Sequence, residues 1–135
     1  MAGVGKIDSF RDLKVWHRGM EAADLVLEVC DTDPLRRKLR FASQFEAAAV
    51  SIPSNIAEGH AGGTTKVYIK HLFIARGSIA ECLTLLELAA RRKYLSRPRI
   101  KSIWSVLNET GRLLNALINA LERRIKGKKT RAGSV

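Results

Sequence analysis

Ser51-Ile52-Pro53-Ser54-Asn55-Ile56-Ala57-Glu58-Gly59 is the stretch on which the fold turns. It sets a proline inside a region that otherwise reads as one long helix. An interior proline removes a backbone hydrogen bond, clashes with the preceding turn and costs ~3 kcal/mol. A helix survives this only where packing holds it. The apolar spacing argues for survival. Phe41, Phe45, Ala48, Ile52, Ile56 and Gly59 step by 4, 3, 4, 4 and 3, so the stripe keeps its phase across Pro53. Gln44, Ser51, Asn55 and Glu58 step by 7, 4 and 3 along a neighbouring stripe. The segment therefore predicts a kinked helix over about residues 39–60, with an apolar stripe beside a polar one.

Outward from this helix the same period recurs. Toward the N-terminus, Leu13, Trp16, Met20, Ala23, Leu27 and Cys30 step by 3, 4, 3, 4 and 3, the spacing of a bundle seam. A first helix is expected over about 10–31, capped near Ser9 and stopped by Asp31-Thr32-Asp33-Pro34. Gly59, Gly62 and Gly63 end the second helix, and Thr64 is placed to cap a third over about 64–94. A fourth, over about 97–126, has Ser96 before it, Pro98 in its first turn and the seam Ile100, Trp104, Leu107, Gly111, Leu114, Ile118, Leu121, Ile125. The pattern stops after Lys126, and residues 127–135 read as a disordered basic tail. No strand signal competes. Long helices joined by short loops predict an all-α, antiparallel up-down-up-down four-helix bundle over residues 9–126.

The third helix carries more apolar surface than one core needs. Tyr68, Leu72, Ala75, Ile79, Cys82, Leu86 and Ala89 form one seam; Ile69, Phe73, Ala80, Leu83 and Ala90 form a second; Ile74, Leu85 and Leu88 lie elsewhere. A helix apolar on several faces must be covered on several sides, which predicts a homo-oligomer. The competing explanation is a broad core stripe with a few exposed leucines.

The chain has 135 residues, 46% of them hydrophobic, enough for one domain with a real core. No apolar run reaches membrane-spanning length, and Met1 to Lys6 lacks an export signal. Cys30 and Cys82 have no metal-ligand spacing and fall on apolar helical positions. These features point to a cytoplasmic protein with reduced core thiols and no membrane partner.

Charge is the main functional signal. With 24 basic and 13 acidic residues the net charge is +11, a balance suited to a polyanionic partner. In the expected topology the first and third connections share one end. The first carries Arg36, Arg37, Lys38 and Arg40, and the second Arg91, Arg92, Lys93, Arg97, Arg99 and Lys101. Six more, Arg123, Arg124, Lys126, Lys128, Lys129 and Arg131, leave from the opposite end. Helix C-terminal cations complement the helix dipole, but that explains only Arg91, Arg92 and Lys93. No interleaved aromatics, helix-turn-helix or zinc finger accompany the charge. Any nucleic-acid binding should therefore run through phosphates, with little sequence readout.

Catalytic chemistry is not legible. His17, His60 and His71 share no i, i+4 spacing, and Gly62-Gly63-Thr64-Thr65-Lys66 lacks the order of a phosphate loop. No nucleophile–base arrangement can be argued, so neither enzyme activity nor a metal or cofactor is expected. Asn55, Glu58, Arg76 and Glu81 read as a structural polar network, with Arg76 bridging one or both carboxylates.

Three segments carry a resemblance. Gln44 to Gly59, QFEAAAVSIPSNIAEG, resembles the signature of the bacterial four helix bundle protein family, whose members include proteins encoded within intervening sequences of large-subunit ribosomal RNA genes. Phe10 to Trp16 is similar to that family's opening, F-x-D-L-x-V-W, and Phe73 to Glu81 to its third-helix motif. The match spans roughly residues 9–121, in the right order. Thr64-Thr65-Lys66-Val67-Tyr68 departs from it, since an acid would be expected near Val67. The resemblance implies a four-helix bundle. The family also resembles accessory proteins of diversity-generating retroelements, which implies a homopentamer and a possible protein partner such as a reverse transcriptase or ribosomal component. Two functions follow: a non-enzymatic, oligomeric protein that binds nucleic acid, RNA foremost, without sequence preference, or a scaffold presenting a symmetric surface to a protein partner.

Overall fold

The apolar repeats build four helices: α1 (Lys14–Cys30), α2 (Leu39–Ala61), α3 (Thr65–Arg91) and α4 (Arg97–Gly133). Short 3₁₀ turns, Phe10–Asp12 and Leu35–Arg37, precede α1 and α2. This computed structural model describes residues 9–133, and side chains as far as 128; no strand occurs among them.

α2 runs unbroken through Pro53, which is buried. The reason lies on α1. Gly19 faces this point, and a Cβ there would stand 3.3 Å from Ile52 Cγ2 and 3.5 Å from the Pro53 nitrogen. α1 thus packs backbone-close against the turn that proline weakens, and tertiary contact holds the helix together. α2 also packs on α3, α3 on α4, and α4 on α1. The four helices enclose one core, with Phe45, Ile52, Ile56, Leu72, Leu107 and Leu114 fully shielded from solvent. Thr110 is buried among them and satisfies its hydroxyl by donating to the Val106 carbonyl at 2.7 Å.

Several expectations need correction. The α1 seam is rotated from the expected one. Val15, Ala22, Val26 and Val29 face the core with Ala23 and Cys30, while Trp16 and Leu27 are half-buried and Met20 is exposed. Close approach at Gly19 leaves room for small side chains only, so the bulky ones move to the edge of the α1–α2 contact. In α4 the core position belongs to Ile103; Trp104 is 55% exposed. In α3, Leu85 turns inward, whereas Phe73, Ile74 and Leu88 stay exposed.

Boundaries differ as well. Ser9 caps the first 3₁₀ turn, accepting from the Arg11 amide, and extended Leu13 separates that turn from α1. Thr64 caps α3 as expected, its hydroxyl accepting from the Val67 amide at 3.2 Å. α4 does not stop at 126 but continues helically to Gly133, in place of the expected disordered tail. Lys128, Lys129, Arg131 and Ala132 are good helix formers set against Gly127, Thr130 and the terminal Gly133, and the helix runs on after its apolar stripe has ended. The Lys129 and Arg131 side chains, and residues 1–8 with the export reading made on them, lie outside the described portion.

Candidate nucleic-acid interface

The first connection is pinned by Leu35, which has no solvent exposure, so the residues after it project outward. Arg36 donates to Asp33 at 3.0 Å and Arg37 lies 3.6 Å from the same carboxylate. The Arg36 hydrogen bond holds the Asp33 carboxyl below its usual range.

The second connection is set by how α3 ends. The Lys93 amide donates to the Ala90 carbonyl and the Tyr94 amide to the Ala89 carbonyl, at 3.1 and 2.8 Å. This is the paired C-terminal motif that needs a left-handed residue, and Lys93 supplies it with φ +59°. Glycine usually occupies that position because a Cβ there is costly. The turn then aims Tyr94 inward, its ring 5.5 Å from that of Phe41.

Three contacts bring the two connections together. Tyr94 packs on Phe41, the Lys38 ammonium lies 5.4 Å from the Tyr94 ring centroid, and Arg99 donates to the Thr32 hydroxyl at 3.0 Å. Arg36, Arg37, Lys38, Arg40, Arg91, Arg92, Lys93, Arg97, Arg99 and Lys101 are all exposed around this junction. Asp33 occupies two of them and Glu87 a third, Arg91, at 3.2 Å. Among the described residues, Lys38, Arg40, Arg92, Lys93, Arg97, Arg99 and Lys101 make no ion pair. The junction is a cluster of cations far in excess of its acids.

Arg123, Arg124, Lys126 and Lys128 do not join this cluster. They are exposed on the last turns of α4, about 40 Å along the helix from Arg97. Arg124 instead shares a shallow cavity with Gly59, Thr64 and Tyr68, at the connection between α2 and α3.

The polar stripe of α2 faces α3. Asn55 Nδ2 donates to the Ser51 carbonyl at 2.9 Å and to its hydroxyl at 3.0 Å, and Ser78 donates to Ser51 Oγ at 2.8 Å. His71 Nδ1 donates to Asn55 Oδ1 at 3.0 Å and lies 3.7 Å from Glu58. Gln44 reaches Glu81 at 3.5 Å. Asn55, Glu58 and Glu81 therefore take part, but Arg76 does not. It sits about 140° around α3 from His71. There it is exposed, covers the Phe73 ring at 4.5 Å and donates to Asn115 of α4 at 3.3 Å. The partners that do bridge the helices, His71 and Ser78, are seven residues apart and so share one face; that spacing is the signal the sequence offers.

Among the described residues no group of His, Cys, Asp or Glu is arranged to hold a metal ion, and no helix is long and apolar enough to cross a membrane. No curated protein matches the chain. Among solved structures, it is similar to a crystal structure of a protein of unknown function from the S23 ribosomal protein family of Bacteroides thetaiotaomicron. The two share 24% identity with a TM-score of 0.71, over 77% of this chain and 97% of that one. At that identity the likeness concerns the fold. Residues 11–116 match the family described as 23S rRNA-intervening sequence protein. That match covers most of the chain, including the proline-bearing α2 and the cation-rich junction, and this protein belongs to the 23S rRNA-intervening sequence protein family.

Proposed function

We propose that this protein binds nucleic acid through phosphate contacts at the junction of its first and third connections, without catalysing a reaction. The observation that carries this reading is the convergence of ten exposed cations, seven of them without an ion-pair partner among the described residues. Self-repulsion on that scale destabilises a compact chain, and a polyanion relieves it. Lys93 adds to the case. A lysine kept in a glycine conformation is local strain, and strain retained at a charged surface points to use there. RNA is favoured because the family's description refers to 23S rRNA.

The helices are arranged antiparallel, up-down-up-down, and the unit is a closed homo-oligomer in the cytoplasm. Exposed Phe73, Ile74 and Leu88 on α3 support association, and the resemblance to pentameric relatives supports a pentamer. Repetition of the cationic junction around a ring would add avidity. The interhelical network from Gln44 to Glu58 fixes register between α2 and α3.

The test is purification without nuclease at low salt. Co-purifying RNA, released by high salt, is the expected result; protein free of nucleic acid that ignores added RNA and DNA would refute the reading. A second reading has its own observation. An apolar groove between α1 and α2, lined by Trp16, Met20, Leu27, Val50 and Pro53, suits a scaffold that receives a protein partner.

A further inference from the structure

The cationic junction has an aromatic partner that helical periodicity hides. Trp104 reads as a seam residue, yet Ile103 takes the core position and Trp104 is 55% exposed, the most exposed aromatic side chain described. Trp16 packs at a tilt against Phe10 at 5.1 Å, the Tyr94 ring holds Phe41 and Lys38, and the Phe73 ring is covered by Arg76. No ring or cation among the described residues packs on Trp104.

Its setting is cationic. Arg97, Lys101, Trp104, Asn108 and Arg112 step by 4, 3, 4 and 4, so they line one face of α4. Arg97, Lys101 and Arg112 are exposed and make no ion pair among the described residues. Of the described acids of α4, Glu109 lies off this line and is engaged by Arg18 at 3.0 Å, and Glu122, on the same face, lies five turns beyond Trp104, about 27 Å along the helix. Lys101 and Arg97 precede Trp104 by about 4.5 and 10.5 Å of helix rise. An indole face is thus held between cations, continuous with the junction. That combination is how proteins hold single strands: cations track the phosphates and an aromatic ring takes an unstacked base. A duplex keeps its bases stacked on each other and leaves nothing for the indole to meet.

We infer that Trp104 is a base-stacking residue, and that the cationic junction takes single-stranded or looped nucleic acid in preference to duplex. This rests on the proposed phosphate binding and adds a ligand class to it. Every base has a π-face, so the preference is for unpaired structure and not for sequence.

The test uses the full chain with Trp16→Phe, which leaves Trp104 as the single indole. Its fluorescence is followed during titration with an unstructured 20-mer RNA and with a duplex RNA of equal length. Quenching by the single strand alone is expected. By anisotropy, Trp104→Ala should weaken single-strand binding about tenfold and leave duplex binding within about twofold, while Trp104→Phe retains most of the affinity. Equal single-strand affinity in Trp104→Ala overturns the inference, as does an equal loss on both probes. A changed sedimentation coefficient with unchanged single-strand affinity also overturns it and assigns Trp104 to contact between copies. Failure of the parent protein to bind either probe is a different result, which refutes the phosphate-binding proposal beneath it.

Discussion

Glycine-to-alanine substitution at three helical positions should give opposite signs, and the geometry says which. Gly59 lies where α2 meets α3. A Cβ there would stand 2.8 Å from His71 Cβ, 3.1 Å from Tyr68 Cδ1 and 3.2 Å from the Tyr68 carbonyl oxygen. Two of these atoms are backbone or the first side-chain atom, so no rotamer change relieves the clash and α3 must move away. Overpacking of this kind costs about 1–3 kcal/mol. Moving α3 also stretches the His71–Asn55 hydrogen bond, 3.0 Å long, worth about 1 kcal/mol. Against this, alanine in a helix interior gains about 1 kcal/mol over glycine. The net expectation for Gly59→Ala is a loss of about 1–3 kcal/mol. At Gly77 in α3 and Gly111 in α4, an added Cβ would meet no atom within 4 Å. There only the helix gain applies, so each substitution should stabilise by up to about 1 kcal/mol. Urea unfolding followed by helical circular dichroism measures all three. A Gly59→Ala protein as stable as the parent would refute the close-packed α2–α3 contact. Destabilisation by Gly77→Ala would instead place another surface, such as a second copy, against α3.

Other outcomes follow from the same contacts. Lys93→Gly should raise stability by about 0.5–1 kcal/mol, because glycine accepts φ +59° without a Cβ penalty, and should weaken RNA binding by removing a cation from the junction; both changes are read from one preparation by urea titration and anisotropy. Burial pushes the Cys30 and Cys82 thiols up to about 12, so the folded protein should react slowly with a thiol reagent at pH 8, and denatured protein should titrate two thiols at once. Raised folded-state values also mean that stability is full below the ordinary thiol range near 9 and falls between about pH 9 and 12, where only the unfolded chain loses these protons; replacing both cysteines with alanine should flatten that fall in pH-dependent unfolding.

Much of the fold is legible because one periodic signal controls it. The stripe from Phe41 to Ile56 keeps phase through Pro53, and α2 is continuous there. Phase within a helix is harder to read than its existence. In α1 two apolar stripes compete, and Gly19 decides between them by allowing backbone contact that only Ala22, Val26 and Val29 can flank. Trp104 departs from its expected place for a related reason: Ile103 beside it satisfies the core equally well, and periodicity does not distinguish neighbouring apolar residues. The cationic junction is legible from topology alone, since the two connections need only share an end. Its internal order is not. Tyr94 and Lys38 meet because Lys93 takes a left-handed conformation, and nothing in the sequence marks a lysine as the residue that does so. The apolar neighbours of Arg76 suggest a place in the α2–α3 network, but its angular position on α3 directs it to Asn115 of α4.

The most direct test of phosphate binding at the junction is the salt dependence of RNA affinity, compared between the parent protein and the triple variant Arg36→Glu, Arg37→Glu, Arg92→Glu. If each subunit neutralises about four phosphates, the slope of log affinity against log salt should be near −3 for a single strand and steeper for a duplex. The variant should stay folded, since all three side chains are exposed, bind every sequence more weakly and show a flatter slope. Salt-insensitive binding, or a variant that binds with the parent's affinity and slope, would contradict the account.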